Sequence, residues 1–161
     1  FSIKCRQEFN VSSSIIWSII SKESNLDLYH PFCKKNDIIS WKDDNHHDRL
    51  EYLNGVVLER KFTSWNKEKG YELNIGRKNG RHSHVSWTIE NISENKSALS
   101  IEVYPWMINQ GNKVLQFFPF RLFVKPQLKS YLNSVLSGLK WHVENNEITP
   151  KNHFGKLSWF S

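Results

Sequence analysis

The sequence has few cysteines and no long apolar run. Cys5 and Cys33 are the two cysteines among 161 residues, and no CxxC pair occurs. This excludes a disulfide framework and a zinc-ribbon site; a single bridge stays open, but two reduced, packed thiols are favoured. No stretch approaches the ~18 consecutive apolar residues of a membrane-spanning helix, and no charged-then-apolar leader is visible. We therefore expect a cytoplasmic protein, unless a leader preceded Phe1.

The sequence also lacks the short motifs of common catalytic and cofactor-binding sites. GxSxG, the Walker loop, GxGxxG, HExxH and the EF-hand loop are all absent, so we expect no cofactor. His82 and His84 share one face of a predicted strand, but no carboxylate or cysteine at matching spacing accompanies them. The run His46-His47-Asp48 falls in a polar turn predicted over residues 42–48, which is typical of a solvated loop. We expect no metal site.

Positive charge is in excess but is not concentrated. The net charge is +6 and the pI is about 9.3, yet the basic residues are scattered in pairs such as Lys34-Lys35 and Arg77-Lys78. No run is long enough to form a nucleic-acid patch, so we expect no nucleic-acid partner. Solubility is the simplest interpretation of the charge; an acidic ligand or an anionic membrane surface stays open.

Aromatic residues are abundant. They make up 14% of the chain, with seven Trp and ten Phe, which indicates either a bulky core or a cavity lined with rings. The length fits one domain, so we expect residues 1–161 to form a single domain. The oligomeric state cannot be derived from these features.

Hydrophobic periodicity predicts a strand followed by two short helices. Residues 1–9 alternate between apolar and polar side chains, as in a half-solvated strand. The polar run 12–14 then precedes Ile15-Ile16-Trp17, which predicts a capped helix start. A second short helix is predicted to stop at Pro31, because proline removes a backbone donor.

From residue 37 to residue 106 the period changes to two. Short alternating runs are separated by turn signals, of which Asn79-Gly80 is the clearest. Consecutive short strands joined by tight turns predict an antiparallel meander.

An amphipathic helix is predicted near the C-terminus. Its apolar stripe recurs at spacings of three and four residues and comprises Leu128, Leu132, Val135, Leu139 and Val143. A helix of about 20 residues is roughly 30 Å long, and no other predicted element could cover the sheet. The preceding stretch, residues 107–123, is either the first part of this helix, kinked at its prolines, or a loop folded over the sheet.

The order of these elements resembles the helix-grip superfamily (SRPBCC), which includes START lipid-transfer domains, the birch-pollen-allergen group and the polyketide cyclase/dehydrase group. The segments that carry the resemblance are FNVSSSIIW (9–17), DLYHP (27–31), VSWTIE (85–90) and the closing helix 128–143. The resemblance implies an α+β fold in which a curved antiparallel sheet wraps around a long C-terminal helix, with two short helices after the first strand. It also implies a space for an apolar or amphipathic ligand between helix and sheet.

Strand parity and the helix stripe select the side chains expected to line this space. The alternative is that they fill a solid core; Tyr71 and Trp87 are the strongest candidates for ligand contact because each joins an apolar body to a polar handle. The predicted lining comprises Leu58, Arg60, Phe62, Tyr71, Leu73, Val85, Trp87, Ile101, Val103, Tyr131, Leu132, Val135 and Leu139.

Arg60 is the one charged residue in this set. It shares the inward parity of Leu58 and Phe62, and a buried charge requires a carboxylate or an anionic ligand. An edge strand, a bulge or a side chain that snorkels outward would remove that requirement.

Three functions are compatible with the sequence. The first is binding or transport of a small hydrophobic or amphipathic, lipid- or polyketide-like molecule in the cavity. The second is a polyketide cyclase/dehydrase-like enzyme using the same cavity, although Glu59 and Glu102 have outward parity and do not indicate a catalytic pair. The third is a peripheral membrane-surface module, based on the basic exterior and the Phe-rich stretch 114–124.

Overall fold

A computed structural model describes all 161 residues and places one antiparallel sheet of seven strands at the centre. The strand order across the sheet is β1-β7-β6-β5-β4-β3-β2. The strands are β1 (Ile3–Phe9), β2 (Cys33–Lys42), β3 (Asn45–Tyr52), β4 (Val57–Asn66), β5 (Gly70–Gly76), β6 (His82–Ser93) and β7 (Lys96–Tyr104). Strands β2 to β6 each pair with the next strand in the chain, and β1 pairs with β7. The predicted meander is confirmed.

Two short helices follow the first strand, as predicted. Helix α1 spans Ser13–Ile20 and helix α2 spans Leu26–Tyr29. The hydroxyl of Ser12 accepts a hydrogen bond from the backbone N–H of Ile15 (3.4 Å) and so caps α1. Helix α2 ends two residues before Pro31, where the chain turns into β2.

The uncertain stretch before the final helix is itself mostly helical. A short 3₁₀ turn at Trp106–Ile108 is followed by α3 (Lys113–Pro119), a π turn (Phe120–Val124) and α4 (Lys125–Asn145). The chain is therefore helical without a break from residue 113 to residue 145. The wider π turn begins directly after Pro119, which cannot donate a backbone hydrogen bond. Residues 113–123 are therefore the first part of the final helix, as one of the two alternatives predicted, whereas residues 109–112 precede it.

Helix α4 packs across one face of the sheet. Leu132, Val135, Leu136 and Leu139 are buried in a core shared with the inward side chains of β1, β3, β5, β6 and β7. No helix is both long enough and apolar enough to cross a lipid bilayer. Both cysteines are buried and unpaired.

The prediction of a polar turn over residues 42–48 is wrong. The turn occupies residues 43–44, and β3 already begins at Asn45. His46 and Asp48 are buried, at the same parity as Leu50 and Tyr52. The charged and polar side chains resemble a solvated turn in sequence, but pairing with β2 on one side and β4 on the other extends the strand through them.

Candidate functional site

The space between the sheet and helix α4 has two ends. Because consecutive strands are antiparallel, their connections alternate between the two ends of the strands. The turns at 43–44, 67–69 and 94–95 lie at one end, which we call the filled end. The turns at 53–56 and 77–81 and the segment after β7 lie at the other end, which we call the hollow end.

Aromatic rings occupy the interior near the filled end. The ring of Trp65 stacks on His46 (centroids 3.6 Å apart) and on Tyr71 (5.3 Å), and Phe62 meets Tyr71 edge to face at 4.9 Å. The Tyr71 hydroxyl donates to the carbonyl of Ile20 (3.3 Å). With Trp17 and Trp41, these rings form what we call the aromatic cluster. A smaller depression of about 220 Å³, lined mainly by polar residues, lies beside the turn at 43–44.

A larger cavity lies towards the hollow end. Its volume is about 370 Å³, within the ~300–1,000 Å³ range of small-molecule sites. It reaches the surface beside the exposed residues Arg77, Gly80, Arg81, Met107 and Trp159. The predicted residues that line it are Leu58, Arg60, Leu73, Val85, Trp87, Ile101, Val103, Tyr131, Leu132 and Val135. That these residues bind a ligand stays a prediction.

Three predicted lining residues lie outside the cavity wall. Phe62 and Tyr71 have the inward parity expected of them, but they belong to the aromatic cluster. Leu139 is buried in the core one helical turn beyond Val135, where α4 passes against α2. At that crossing, a side chain on Gly138 would collide with the backbone of Tyr29, so the two helices leave no space for a ligand between them.

Several cavity residues were missed from the sequence. Leu50 and Tyr52 alternate with the charged residues Arg49 and Glu51 along β3, and this alternation could have identified them. His30 and Leu26 come from the region of α2, and Trp159 and Phe160 come from the irregular tail. No local pattern in the sequence places the tail against a cavity. Its position depends on contacts such as that between the rings of Phe160 and Tyr131, whose centroids are 4.2 Å apart.

Arg60 points inward, as predicted, and its partner is a carboxylate of the protein. Its Nε and Nη2 donate to the two oxygens of Asp48 at 2.8 and 2.6 Å, directly across strands β3 and β4. Asn36 donates a further hydrogen bond to Asp48 (3.0 Å). Burial opposes the charge of the guanidinium, but the attraction of Asp48 outweighs it and raises the pKa of Arg60 above its usual value. The cavity therefore carries a neutralised pair and has no need of an anionic ligand.

The second polar group on the cavity wall is a chain of hydrogen bonds from His30 through Tyr131 to Tyr52. Nε2 of His30 lies 2.8 Å from the Tyr131 hydroxyl, which lies 2.9 Å from the Tyr52 hydroxyl. Burial, assisted by the charges of Arg60 and Lys151, lowers the pKa of His30 to about 3. Burial also raises the pKa of Tyr52 to about 12 and that of Tyr131 well above its usual value. All three side chains are uncharged at neutral pH.

The histidines of β6 stand apart from the cavity. His82 is exposed, and His84 lies near Asn74 and Glu72 on the outer face of the sheet. The structure brings no group of three or more His, Cys, Asp or Glu side chains together in a metal-binding arrangement.

Known proteins match this chain in structure but not in sequence. No protein-family model matches it, and no curated protein matches it. A START superfamily protein from Mycobacterium smegmatis superposes with a TM-score of 0.66 at 13% identity, over 90% of this chain and 98% of that one. The chain has the helix-grip fold. At this identity the likeness establishes the fold and no activity.

Two larger proteins share the helix-grip architecture. DynU16, from the dynemicin biosynthetic locus, matches with a TM-score of 0.69 at 10% identity over 94% of this chain. BexL, a di-domain ARO/CYC protein of the BE-7585A biosynthetic pathway, matches with a TM-score of 0.68 at 8% identity over 89% of this chain. The chain spans about half the length of each, namely 50% of DynU16 and 47% of BexL.

Proposed function

We propose that the protein binds, and releases or transfers, a small and largely apolar molecule in the cavity at the hollow end. The observation that carries this proposal is a cavity of about 370 Å³ whose wall is mainly hydrophobic. Each Å² of apolar ligand surface removed from water contributes roughly 25 cal/mol. The neutralised pair of Arg60 and Asp48 and the uncharged tyrosines favour a ligand without net charge.

A cyclase-type enzyme is the weaker candidate. General acid–base catalysis is most efficient when the pKa of the group lies near the working pH. The titratable groups on the wall have pKa values far from neutrality: about 3 for His30, about 12 for Tyr52, and raised values for Tyr131 and Arg60. These groups are suited to fixing a ligand in position. The relation to BexL supports the shape of the site, not a reaction.

Native mass spectrometry of the protein purified from cells tests ligand binding directly. We expect a retained small-molecule mass, and one-to-one binding of N-phenylnaphthylamine, a neutral fluorescent probe, to protein stripped of that mass. The variant Ile101→Phe enlarges a side chain on the cavity wall and should weaken both signals. The matched control is Ile92→Phe, which adds the same volume at an exposed position outside the cavity and should bind normally. A probe affinity unchanged by Ile101→Phe would count against the proposal.

A second function, docking to an anionic membrane surface, is favoured by a separate observation. Val114, Leu115, Phe118, Leu122 and Phe123 are between 62% and 78% exposed; we call them the apolar ridge. Such a contiguous group of exposed apolar side chains is unusual on a free surface. The ridge occupies α3 and the π turn, directly before the cavity residues Val124 and Leu128 of the same helical segment.

The charges around the apolar ridge indicate which surface it would meet. Between residues 103 and 143 the charged side chains are all basic, namely Lys113, Arg121, Lys125, Lys129 and Lys140. Basic side chains that flank an apolar helical face are attracted to anionic lipids while the apolar face enters the interface. Docking there would bring the helical segment that lines the cavity to the lipid from which an apolar ligand would be exchanged.

Liposome sedimentation tests the membrane contact. We expect binding to vesicles of phosphatidylcholine and phosphatidylserine, and much weaker binding to phosphatidylcholine alone. The double variant Leu115→Asp/Phe118→Asp should abolish it, whereas Ile148→Asp, at an exposed apolar residue outside the ridge, should not. Equal binding by all three proteins would reject the ridge as the contact. A dimer dissolved by the same double variant would instead assign the ridge to a second copy of the chain.

A further inference from the structure

The hydrogen bonds around His30 fix which of its ring nitrogens carries the hydrogen. The backbone N–H of Phe32 donates to Nδ1 at 3.2 Å, so Nδ1 carries a lone pair. A neutral imidazole has one N–H, and the buried ring of His30 is neutral. Its hydrogen is therefore on Nε2, and Nε2 donates to the hydroxyl oxygen of Tyr131 at 2.8 Å.

Counting hydrogens along this chain leaves one hydrogen without a partner. The hydroxyls of Tyr131 and Tyr52 lie 2.9 Å apart and bring one hydrogen each. One of these hydrogens forms the bond between the two oxygens. The other cannot go to His30, because Nε2 is already a donor. Whichever tyrosine donates to the other, one phenolic hydrogen remains.

The surroundings leave the cavity as the place for this hydrogen. Both tyrosines lie on the cavity wall. Around Tyr131 pack the rings of Phe32 and Phe160, at 5.8 and 4.2 Å between centroids, and neither ring carries an acceptor oxygen. A buried hydroxyl hydrogen without an acceptor is costly, so this position favours an occupant that supplies one.

We propose that the spare phenolic hydrogen of the Tyr52–Tyr131 pair binds an uncharged acceptor oxygen, such as the carbonyl of a ketone, aldehyde or ester, on an otherwise apolar ligand. This inference rests on the proposed function, since it requires a ligand in the cavity. A carboxylate at this buried position is disfavoured, because the buried cation Arg60 is already engaged by Asp48 and an unpaired buried anion is expensive. The other two arginines of the wall, Arg77 and Arg81, are exposed at the mouth. An apolar molecule without oxygen would leave the hydrogen unpaired.

Two probes of the same shape separate the oxygen from the rest of the ligand. Methyl naphthyl ketone and isopropenylnaphthalene differ by the exchange of C=O for C=CH₂. Measured by displacement of N-phenylnaphthylamine, the wild-type protein should bind the ketone about tenfold more tightly, the effect of one hydrogen bond left unmade. In Tyr52→Phe/Tyr131→Phe the preference should disappear while the hydrocarbon still binds.

Infrared spectroscopy of the bound ketone gives a readout that does not depend on the variant folding. Hydrogen bonding lowers the carbonyl stretching frequency, so the wild-type complex should show a shift to lower wavenumber than the ketone in hexane. An unshifted band, or equal affinity for the two probes, would overturn this inference and leave the proposed function standing. If neither probe nor N-phenylnaphthylamine binds, both proposals fail.

Discussion

The two ends of the space between sheet and helix are built from the same kind of strand but hold different contents. At the filled end, the ring of Trp65 stacks on those of His46 and Tyr71, and these rings occupy the space between sheet and helix. At the hollow end, buried side chains such as Leu73 and Ile101 border a cavity of about 370 Å³. Inward parity along a strand therefore does not distinguish a core residue from a cavity residue. The volume of the neighbours across the space makes that distinction.

The pair of Arg60 and Asp48 lies between the two ends. Arg60 lines the cavity, while its guanidinium carbon lies 5.1 Å from the ring centroid of Phe62 in the aromatic cluster. Both charged groups are almost fully buried. The pair therefore lies where the packed interior meets the cavity, and its removal should lower the stability of the whole fold.

The largest effect is expected from Asp48→Asn, which leaves the buried charge of Arg60 uncompensated. Breaking a buried pair by removing one partner costs about 3–5 kcal/mol in the free energy of unfolding. Urea denaturation measures the loss. The matched control is Asp37→Asn, whose exposed contact with Lys35 (3.3 Å) should contribute about 0–1 kcal/mol. Equal losses for the two variants would mean that the pair is not buried as described.

Matched leucine truncations compare the two ends directly. Leu99 and Leu73 are both buried, but only Leu73 borders the cavity. Leu→Ala in a packed core costs about 2.7–5.0 kcal/mol, rising with the void that is created. The loss for Leu99→Ala should lie in the upper part of this range. The loss for Leu73→Ala should be smaller, because Leu73 already borders the empty space of the cavity. A larger loss for Leu73→Ala would contradict the distinction between a filled and a hollow end.

Added volume should likewise cost more at the filled end than at the hollow end. Ile16 of α1 is fully buried near the filled end, and a phenylalanine there would overpack the core at a cost of about 1–3 kcal/mol. Ile101→Phe can place its ring in the cavity and should cost less than about 1 kcal/mol. Thermal denaturation of both variants checks this. A strongly destabilised Ile101→Phe would indicate that the space does not accept a ring.

The smallest effect concerns pH. Because the pKa of His30 falls from 6.5 to about 3 on folding, the unfolded chain binds a proton that the folded protein excludes. The stabilisation is complete above about pH 6.5 and is lost as pH falls towards 3. At pH 5.5 the expected loss is about 1.4 kcal/mol.

Urea denaturation of the wild-type protein and His30→Gln at pH 7.5 and 5.5 isolates the contribution of His30 to the pH dependence of the free energy of unfolding. The variant should lose less stability between the two pH values. His46 at the filled end, whose pKa burial also lowers, contributes equally to both proteins and cancels. Identical pH dependence of the two proteins would contradict a buried, neutral His30.

The sequence by itself determined the elements and their faces. Alternation along β4, β5 and β6 predicted which side chains turn inward, and spacings of three and four residues predicted the apolar stripe of α4. These features are local, because backbone geometry fixes a period of two in a strand and 3.6 in a helix. Ser12 likewise caps the start of α1 through a bond from the nearby Ile15, and Pro31, which has no backbone donor, follows the end of α2. The helix-grip order of elements followed from this local information.

Only the tertiary structure decided which inward positions face a void and which partners they have. Whether Phe62 touches a ligand depends on the rings of Trp41 and Tyr71, which strands β2 and β5 bring beside it. Asp48 reaches Arg60 through strand register, and Tyr131 meets His30 and Tyr52 across 101 and 79 residues of sequence. A cavity is the volume left after distant side chains have packed. No local pattern records that volume, so the site is fixed by the fold as a whole.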